Sequence, residues 1–395
     1  STENYGTIVL FKTSLLIIIS LGGIGLSQSA VHWINSNKKS LNGFGTTLLG
    51  VSFFSFFSFL IFCIAFYALS KEMNINFSFQ IIIYTLFLIF FYLVNNEIIN
   101  WERVNNNAKK HAIFSFYRSL QQLLLVIVFI LLDNKLENFV LGLLTNEFLF
   151  LIIRSFFKFP DFRFDFDLLK QMVKFGLPHA LIISSTFALN YTDRYMIALL
   201  QNSLSHVAFY DAASIIVLSG LSVLSRPFNL FFLPNFTKKY YEKGKIEAKL
   251  LLDKCLIYYT FSSLILASFI IIYDKQILAL FYPENYSSGT EIFPFISISI
   301  IINTFFMSYV TGLNFHNKAI IAGISVTLAV LCNIVLNLFL IPKYGIVGAA
   351  QSTSIASLFQ LVIVYLLSRK IIFFPLPINA LLISLCWLIF VIMLI

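Results

Sequence analysis

Seven charged residues inside apolar stretches of this chain draw attention, because their types allow two kinds of chemistry. Four are cations: Lys12, Arg118, Arg194 and Arg226. Three are carboxylates: Glu147, Asp193 and Asp211. A guanidinium offers a planar fork of N–H donors that grips a phosphate or carboxylate oxyanion in two places. A carboxylate kept from bulk water takes up a proton or holds a cation. No catalytic constellation accompanies them. His32, His111, His179, His206 and His316 never pair at metal-ligand spacing. Cys63, Cys255, Cys332 and Cys386 form neither a metal spacing nor a disulfide framework, and read as packing residues. No phosphate-cradling GxxxxGK[ST] loop is present, which argues against ATP hydrolysis. The expectation is a chain that is not an enzyme, with no catalytic residue, no metal site and no cofactor.

The depth of these residues depends on the elements that carry them. The chain is 59% hydrophobic and 11% charged, with a mean hydropathy of +0.87, values that do not describe a soluble domain. A membrane span needs about 20 residues to cross a hydrocarbon core of about 30 Å. About twelve apolar stretches are that long: 7–31, 43–69, 79–97, 112–132, 139–157, 175–200, 206–233, 252–273, 291–313, 319–341, 346–368 and 373–395. Of 27 Lys and Arg, 20 fall in every second connection, and four (Lys71, Lys135, Lys275, Lys343) in the connections between. Cytoplasmic loops carry that excess. Segments 32–43, 98–111, 158–174, 234–251 and 314–318 are therefore expected in the cytoplasm. The net charge of +9 is spread over short loops, so it points to an anionic membrane leaflet and not to nucleic acid.

Direction of travel then sets depth. Lys12 in the first span, Asp193 and Arg194 in the sixth and Asp211 in the seventh fall in one layer, about 8–10 Å below the outer surface. Asp193 and Arg194 are about 100° apart on a helix and do not face each other. Arg194 is expected to meet Asp211 across the turn Gln201–Ser205. Such a pair gates a path or couples an ion; the plain alternative is a salt bridge that orients two helices while Lys12 snorkels. Arg226, beside helix-breaking Pro227, and Arg118 sit in the inner half, where an anionic phosphate would arrive. Glu147, with Asn146 beside it, lies mid-span. It is expected to be protonated and transport-coupled, or to face a wet cavity, or to pack as a neutral hydrogen-bonded group. Asn190, Asn303, Asn333 and Asn337 read as interhelical hydrogen-bond partners.

The chain divides into a first bundle over 1–158, an amphipathic cytoplasmic linker over 159–174, a second bundle over 175–368 and an additional span over 369–395. In the linker, Asp161, Arg163, Asp165 and Asp167 alternate with Phe162, Phe164 and Phe166, a pattern suited to a headgroup layer; a short strand is the alternative. Pro178 is expected near the start of a helix. A faint repeat relates Asn4–Ile8 to Val207–Asp211. The absent initiator Met and the polar start at the outer face suggest a missing first span.

The stretch from Asp274 to Arg369 carries a family resemblance. Phe281-Tyr282-Pro283-Glu284-Asn285-Tyr286 precedes Ile292-Phe293-Pro294. Asn314–Lys318, Asn333, Asn337 and Leu340-Ile341-Pro342-Lys343-Tyr344-Gly345-Ile346-Val347-Gly348-Ala349-Ala350 follow. With Gly176-Leu177-Pro178, Asn190-Tyr191-Thr192-Asp193-Arg194-Tyr195 and Glu3-Asn4-Tyr5-Gly6, this order resembles the polysaccharide (O-antigen or capsule repeat unit, Wzx-type) flippases. These belong to the multidrug/oligosaccharidyl-lipid/polysaccharide exporter superfamily. The resemblance implies an all-α integral membrane protein, with about 12 transmembrane helices in two pseudo-symmetric bundles around a central cavity. It implies passage of undecaprenyl-diphosphate-linked oligosaccharide across the bacterial cytoplasmic membrane by alternating access, with proton or sodium coupling. Its partners would be that polyprenyl-diphosphate lipid and the membrane lipids. A multidrug or cation exporter of the same superfamily is the alternative; a membrane glycosyltransferase or polymerase would need a large loop, and none is present.

Overall fold

The computed structural model describes residues 2–27, 29–30, 40–73, 78–105, 107–156, 163–316, 318–371 and 378–394. Lys38, Lys39, Lys158 and residues 159–162 of the expected linker lie outside the described residues. The elements are α1 (Thr2–Gly22), α2 (Ser40–Met73), α3 (Phe79–Val104), α4 (Ala108–Leu132), α5 (Leu136–Ser155) and α6 (Phe166–Gln201). They continue with α7 (Leu204–Ile272), α8 (Asp274–Ala279), a 3₁₀ turn (Glu284–Ile292), α9 (Phe293–Phe315), α10 (Ala319–Ser368) and α11 (Ile378–Leu394). The protein is an all-α, multi-pass integral membrane protein. Its helices are apolar on both faces, because one side meets packed neighbours and the other meets lipid tails. Phe53, Ile64, Tyr258 and Ile265 are among the large apolar side chains left outward. Hydroxyls inside the spans are satisfied locally: Thr47, Ser52, Thr85 and Ser352 each donate to the carbonyl four residues back.

Among the described residues, nine helices are long and apolar enough to span a bilayer, counting 320–368 as one and setting aside bent α6. Two glycine elbows bear on that number: the one in α10 raises it by one, and the one in α7 separates two spans already counted. A straight α10 would hold residues 340 and 348 about 12 Å apart. Instead, a Cβ on Gly348 would lie 2.2 Å from the Leu340 carbonyl oxygen. Gly345, at φ 61°, lets the chain fold back there. In α7, Gly244 adopts φ 84° and ψ −179°, a conformation essentially confined to glycine. Gly220 and Ile270, on either side of that elbow, come into contact. Each elbow makes a hairpin of two spans, as the expected spans 206–233 with 252–273, and 319–341 with 346–368, require.

Three expectations change. The apolar run 7–31 is not one helix: α1 stops at Gly22, and the chain turns through Gly25 at φ 64°. The expected linker is helical from Phe166 onward. Its start is set by Asp165, whose carboxylate accepts from the Leu168 N–H at 3.0 Å. The Asp165 N–H donates to Thr46 of α2 at 3.0 Å, which anchors the segment. Pro178 therefore falls inside α6 and not in a first turn. There 166–177 and 179–201 bend by 41°, as expected where proline removes a helix hydrogen bond.

The residues form two compact units, 3–187 and 188–395, with α6 contributing to both. In the first, the backbone turn at Gly25 touches α6. A Cβ on Gly25 would lie 2.2 Å from the Gly176 carbonyl oxygen, and one on Gly176 would lie 2.4 Å from that of Ile24. Ser29 donates to the Met172 carbonyl at 2.7 Å beside this contact. Gly25→Ala or Gly176→Ala is expected to destabilise by about 1–3 kcal/mol, through overpacking and, at Gly25, backbone strain. Gly23→Ala meets nothing within 4 Å and should leave the detergent melting temperature unchanged.

Candidate functional site

The second unit places a polar cluster inside its spans. Consecutive residues of α6 pair with consecutive residues of α7, making two rungs. Arg194 donates from Nε and Nη2 to Asp211, both at 3.1 Å, so the expected contact is present. The Tyr210 hydroxyl donates to Asp193 at 2.7 Å. The Arg194 guanidinium also donates to the Asn190 carbonyl at 2.6 Å and stands about 5 Å from the rings of Tyr191 and Tyr210. The 100° separation of Asp193 from Arg194 sends each to its own partner.

Asp193 gathers four helical segments. Besides Tyr210, it accepts from Asn337 at 2.8 Å and from the Thr353 hydroxyl, which stand on the two arms of α10. Asn337 also donates to Asn333, and Asn333 to Thr353. All five groups are buried, with Thr353 the most accessible at 8%. Among the described residues the Asn337 carboxamide oxygen has no hydrogen-bond partner. An amide N–H and two hydroxyls thus meet one carboxylate, with Asn333 tying Asn337 to Thr353 behind them. Asn333 and Asn337 make the expected interhelical hydrogen bonds.

The first unit has its own cluster. Glu147 of α5 is expected to be protonated, in a wet cavity or packed neutral; the structure gives it an ion pair instead. Arg118 of α4 holds both its oxygens, at 2.7 and 3.1 Å. Asn95 of α3 donates to it at 2.8 Å, and Asn146 at 3.2 Å. Arg118 also lies 4.5 Å from the centre of the Tyr92 ring. A second pair, Glu102–Arg154 at 3.0 Å, sits seven residues further along both α3 and α5. Seven residues are close to two turns, so both layers share one face, about 10 Å apart. The fork that sequence reading reserves for a phosphate is engaged by a carboxylate.

Of the candidates whose side chains are described, Lys12 is the exposed one. No hydrogen bond or ion pair of Lys12 is present among the described residues. Its neighbours Phe11, Thr13, Ser14 and Leu15 are all buried. Arg226 lies in α7, and its side chain falls outside the described residues. Sequence reasoning missed Glu102, Arg154, Asn95, Tyr210 and Thr353. Glu102 falls in the expected connection 98–111 and Arg154 near the inner end of the expected span 139–157, where a charge is ordinarily solvated. The spacings Asn95–Glu102 and Glu147–Arg154, both seven, were the available signal.

With this architecture in view, comparison defines the class. The chain has the fold of the MOP superfamily transporters, membrane proteins of about twelve spans. No family model and no curated protein matches it by sequence. Solved structures match by shape. Lipid II flippase MurJ, in an inward closed conformation, gives a TM-score of 0.73 at 17% identity, over 100% of this chain and 86% of that one. An inward-facing multidrug resistance MATE family transporter gives 0.67 at 15% identity, over 93% and 90%. A MOP superfamily transporter from Pyrococcus furiosus gives 0.66 at 14% identity, over 93% and 87%. At these identities the likeness is one of fold.

Proposed function

We propose that the chain is a flippase for a diphosphate-linked lipid oligosaccharide, moving undecaprenyl-diphosphate repeat units from the cytoplasmic to the outer leaflet of the bacterial cytoplasmic membrane. The observation that carries this reading is the state of the charged candidates. Arg118 and Arg194 are neutralised by Glu147 and Asp211, whereas Lys12 is exposed and charged in a helix whose adjoining residues are buried. An exposed cation at a span suits an anionic diphosphate. A lipid II flippase among the structures of the same fold supports a lipid-linked cargo. The likeness to MATE transporters supports the second reading, a multidrug exporter. A cationic drug would want an exposed carboxylate, and Glu147, Asp193 and Asp211 are buried and bonded.

The driving ion is assigned to Asp193. Turning the Asn337 carboxamide would present its unpartnered oxygen to a cation held by that carboxylate, Asn333 and Thr353, a set of hard oxygen ligands. A proton on Asp193 is the other form of the same coupling.

The test is surface polysaccharide display in a deletion strain. Lys12→Ala loses a charge-assisted contact worth about 1.5–3 kcal/mol, hence roughly ten- to a hundredfold in cargo affinity. Display should fall accordingly, with Lys12→Arg retaining most of it and drug sensitivity unchanged in all strains. Full display from Lys12→Ala at normal protein level removes Lys12 from the cargo path. Altered drug sensitivity with intact display would favour the exporter.

A further inference from the structure

We propose that the lysines around the Gly244 elbow form a site for an acidic phospholipid on the lipid-facing surface of the second unit. The α7 arm after the elbow, 245–272, has 28 residues, about 42 Å at 1.5 Å each, against a hydrocarbon core of about 30 Å. Counted back from Ile272, the core ends near residue 253. The arm therefore overhangs it by about two turns.

At 100° per residue, Ile246, Leu250, Lys254, Ile257, Phe261, Ile265 and Ile272 share an arc of about 100°. All of them face outward: Ile246 is 74% exposed, Leu250 48% and Ile265 72%, and Lys254 is exposed too. The opposite side carries Ala248, Leu252, Leu256 and Tyr259, all buried in the core of the unit. The apolar stripe thus runs past the core boundary, through Lys254, into the overhang. Ile246 and Leu250 are the two exposed large apolar residues of the overhang. A headgroup layer accommodates them; bulk water does not.

The segment around the elbow is cationic. Residues 238–254 hold Lys238, Lys239, Lys243, Lys245, Lys249 and Lys254 against Glu242, Glu247 and Asp253. Among the described residues none of these lysines forms an ion pair, although three acids lie among them. Lys254 lies in the outward stripe and Lys245 and Lys249 flank the overhang on its inner side, from where flexible stems bring their ammonium groups to the phosphate of a lipid whose acyl chains lie along Phe261 and Ile265. Gly244 fixes the geometry, since its φ of 84° and open surroundings turn the chain back within one residue.

The test uses the purified full chain with phosphatidylglycerol and phosphatidylcholine at equal amounts, retention being read by native mass spectrometry. Wild type should keep phosphatidylglycerol in preference, and the preference should fall with salt. Lys245→Gln, Lys249→Gln and Lys254→Gln together should reduce it by about fivefold per lysine at low salt. Lys109→Gln with Lys110→Gln, at the exposed start of α4, should leave it unchanged. Ile246→Ser with Leu250→Ser, all lysines retained, should weaken it too, and inorganic diphosphate should fail to displace the lipid. Equal retention of the two lipids by wild type, an unchanged triple variant or displacement by inorganic diphosphate would overturn the site.

Discussion

Charge reversal at Arg194 or Asp211 should abolish transport and most of the folded protein, and exchanging the two should recover part of both. The pair is buried on both sides, and removing one member of such a pair costs about 3–5 kcal/mol, because the other charge is left without a partner. Reversal is worse, since it sets two like charges about 3 Å apart in a medium that screens poorly. The exchange restores opposite charges but not the whole setting. The guanidinium would leave the Asn190 carbonyl and its place between the Tyr191 and Tyr210 rings. Protein level by immunoblot and polysaccharide display are the two readouts. Equal damage from the exchanged form would mean that Arg194 and Asp211 act separately.

Glu147→Ala is expected to be nearly as severe, and Arg118→Leu with Glu147→Leu much milder. The single change leaves an arginine stranded at membrane depth, at about 3–5 kcal/mol. It also takes from Asn95 one of its two acceptors, the carboxylate, and leaves it the backbone carbonyl of residue 147. The double change removes both charges and leaves apolar side chains between α3, α4 and α5. Replacing a buried ion pair in this way is often neutral or stabilising. If the pair only docks α4 onto its neighbours, the double variant should melt near wild type and transport normally. A stable double variant without transport would show that the charges themselves serve the cycle.

Most of the architecture was legible because a bilayer imposes it. Apolar length and the alternation of basic connections reproduce the helix order seen here, including both hairpins of the second unit. The exceptions are local. Nothing in the run 7–31 marks its break except Gly22, Gly23 and Gly25, and glycine is common in spans. Pro178 suggested a helix start because that is where a missing N–H costs least; the cap at Asp165, thirteen residues earlier, was hidden in an alternating Phe/Asp pattern.

For the charged residues, sequence and tertiary structure settle different questions. Sequence alone singled out Arg118, Glu147, Asp193, Arg194 and Asp211, all of them buried, by counting residues along a span, but it passed over buried Glu102 and Arg154. It also supplied the Arg194–Asp211 pair, because two adjacent antiparallel helices joined by a short turn leave few choices. Partners from distant helices are another matter. That Glu147 answers Arg118, and that Asp193 collects Tyr210, Asn337 and Thr353, depends on how each helix is rotated about its axis. Rotation is set by side-chain packing among helices, and in chains apolar on every face the pattern of residues does not encode it. Only the folded structure decides which charge is buried against a partner and which, like Lys12, stays exposed.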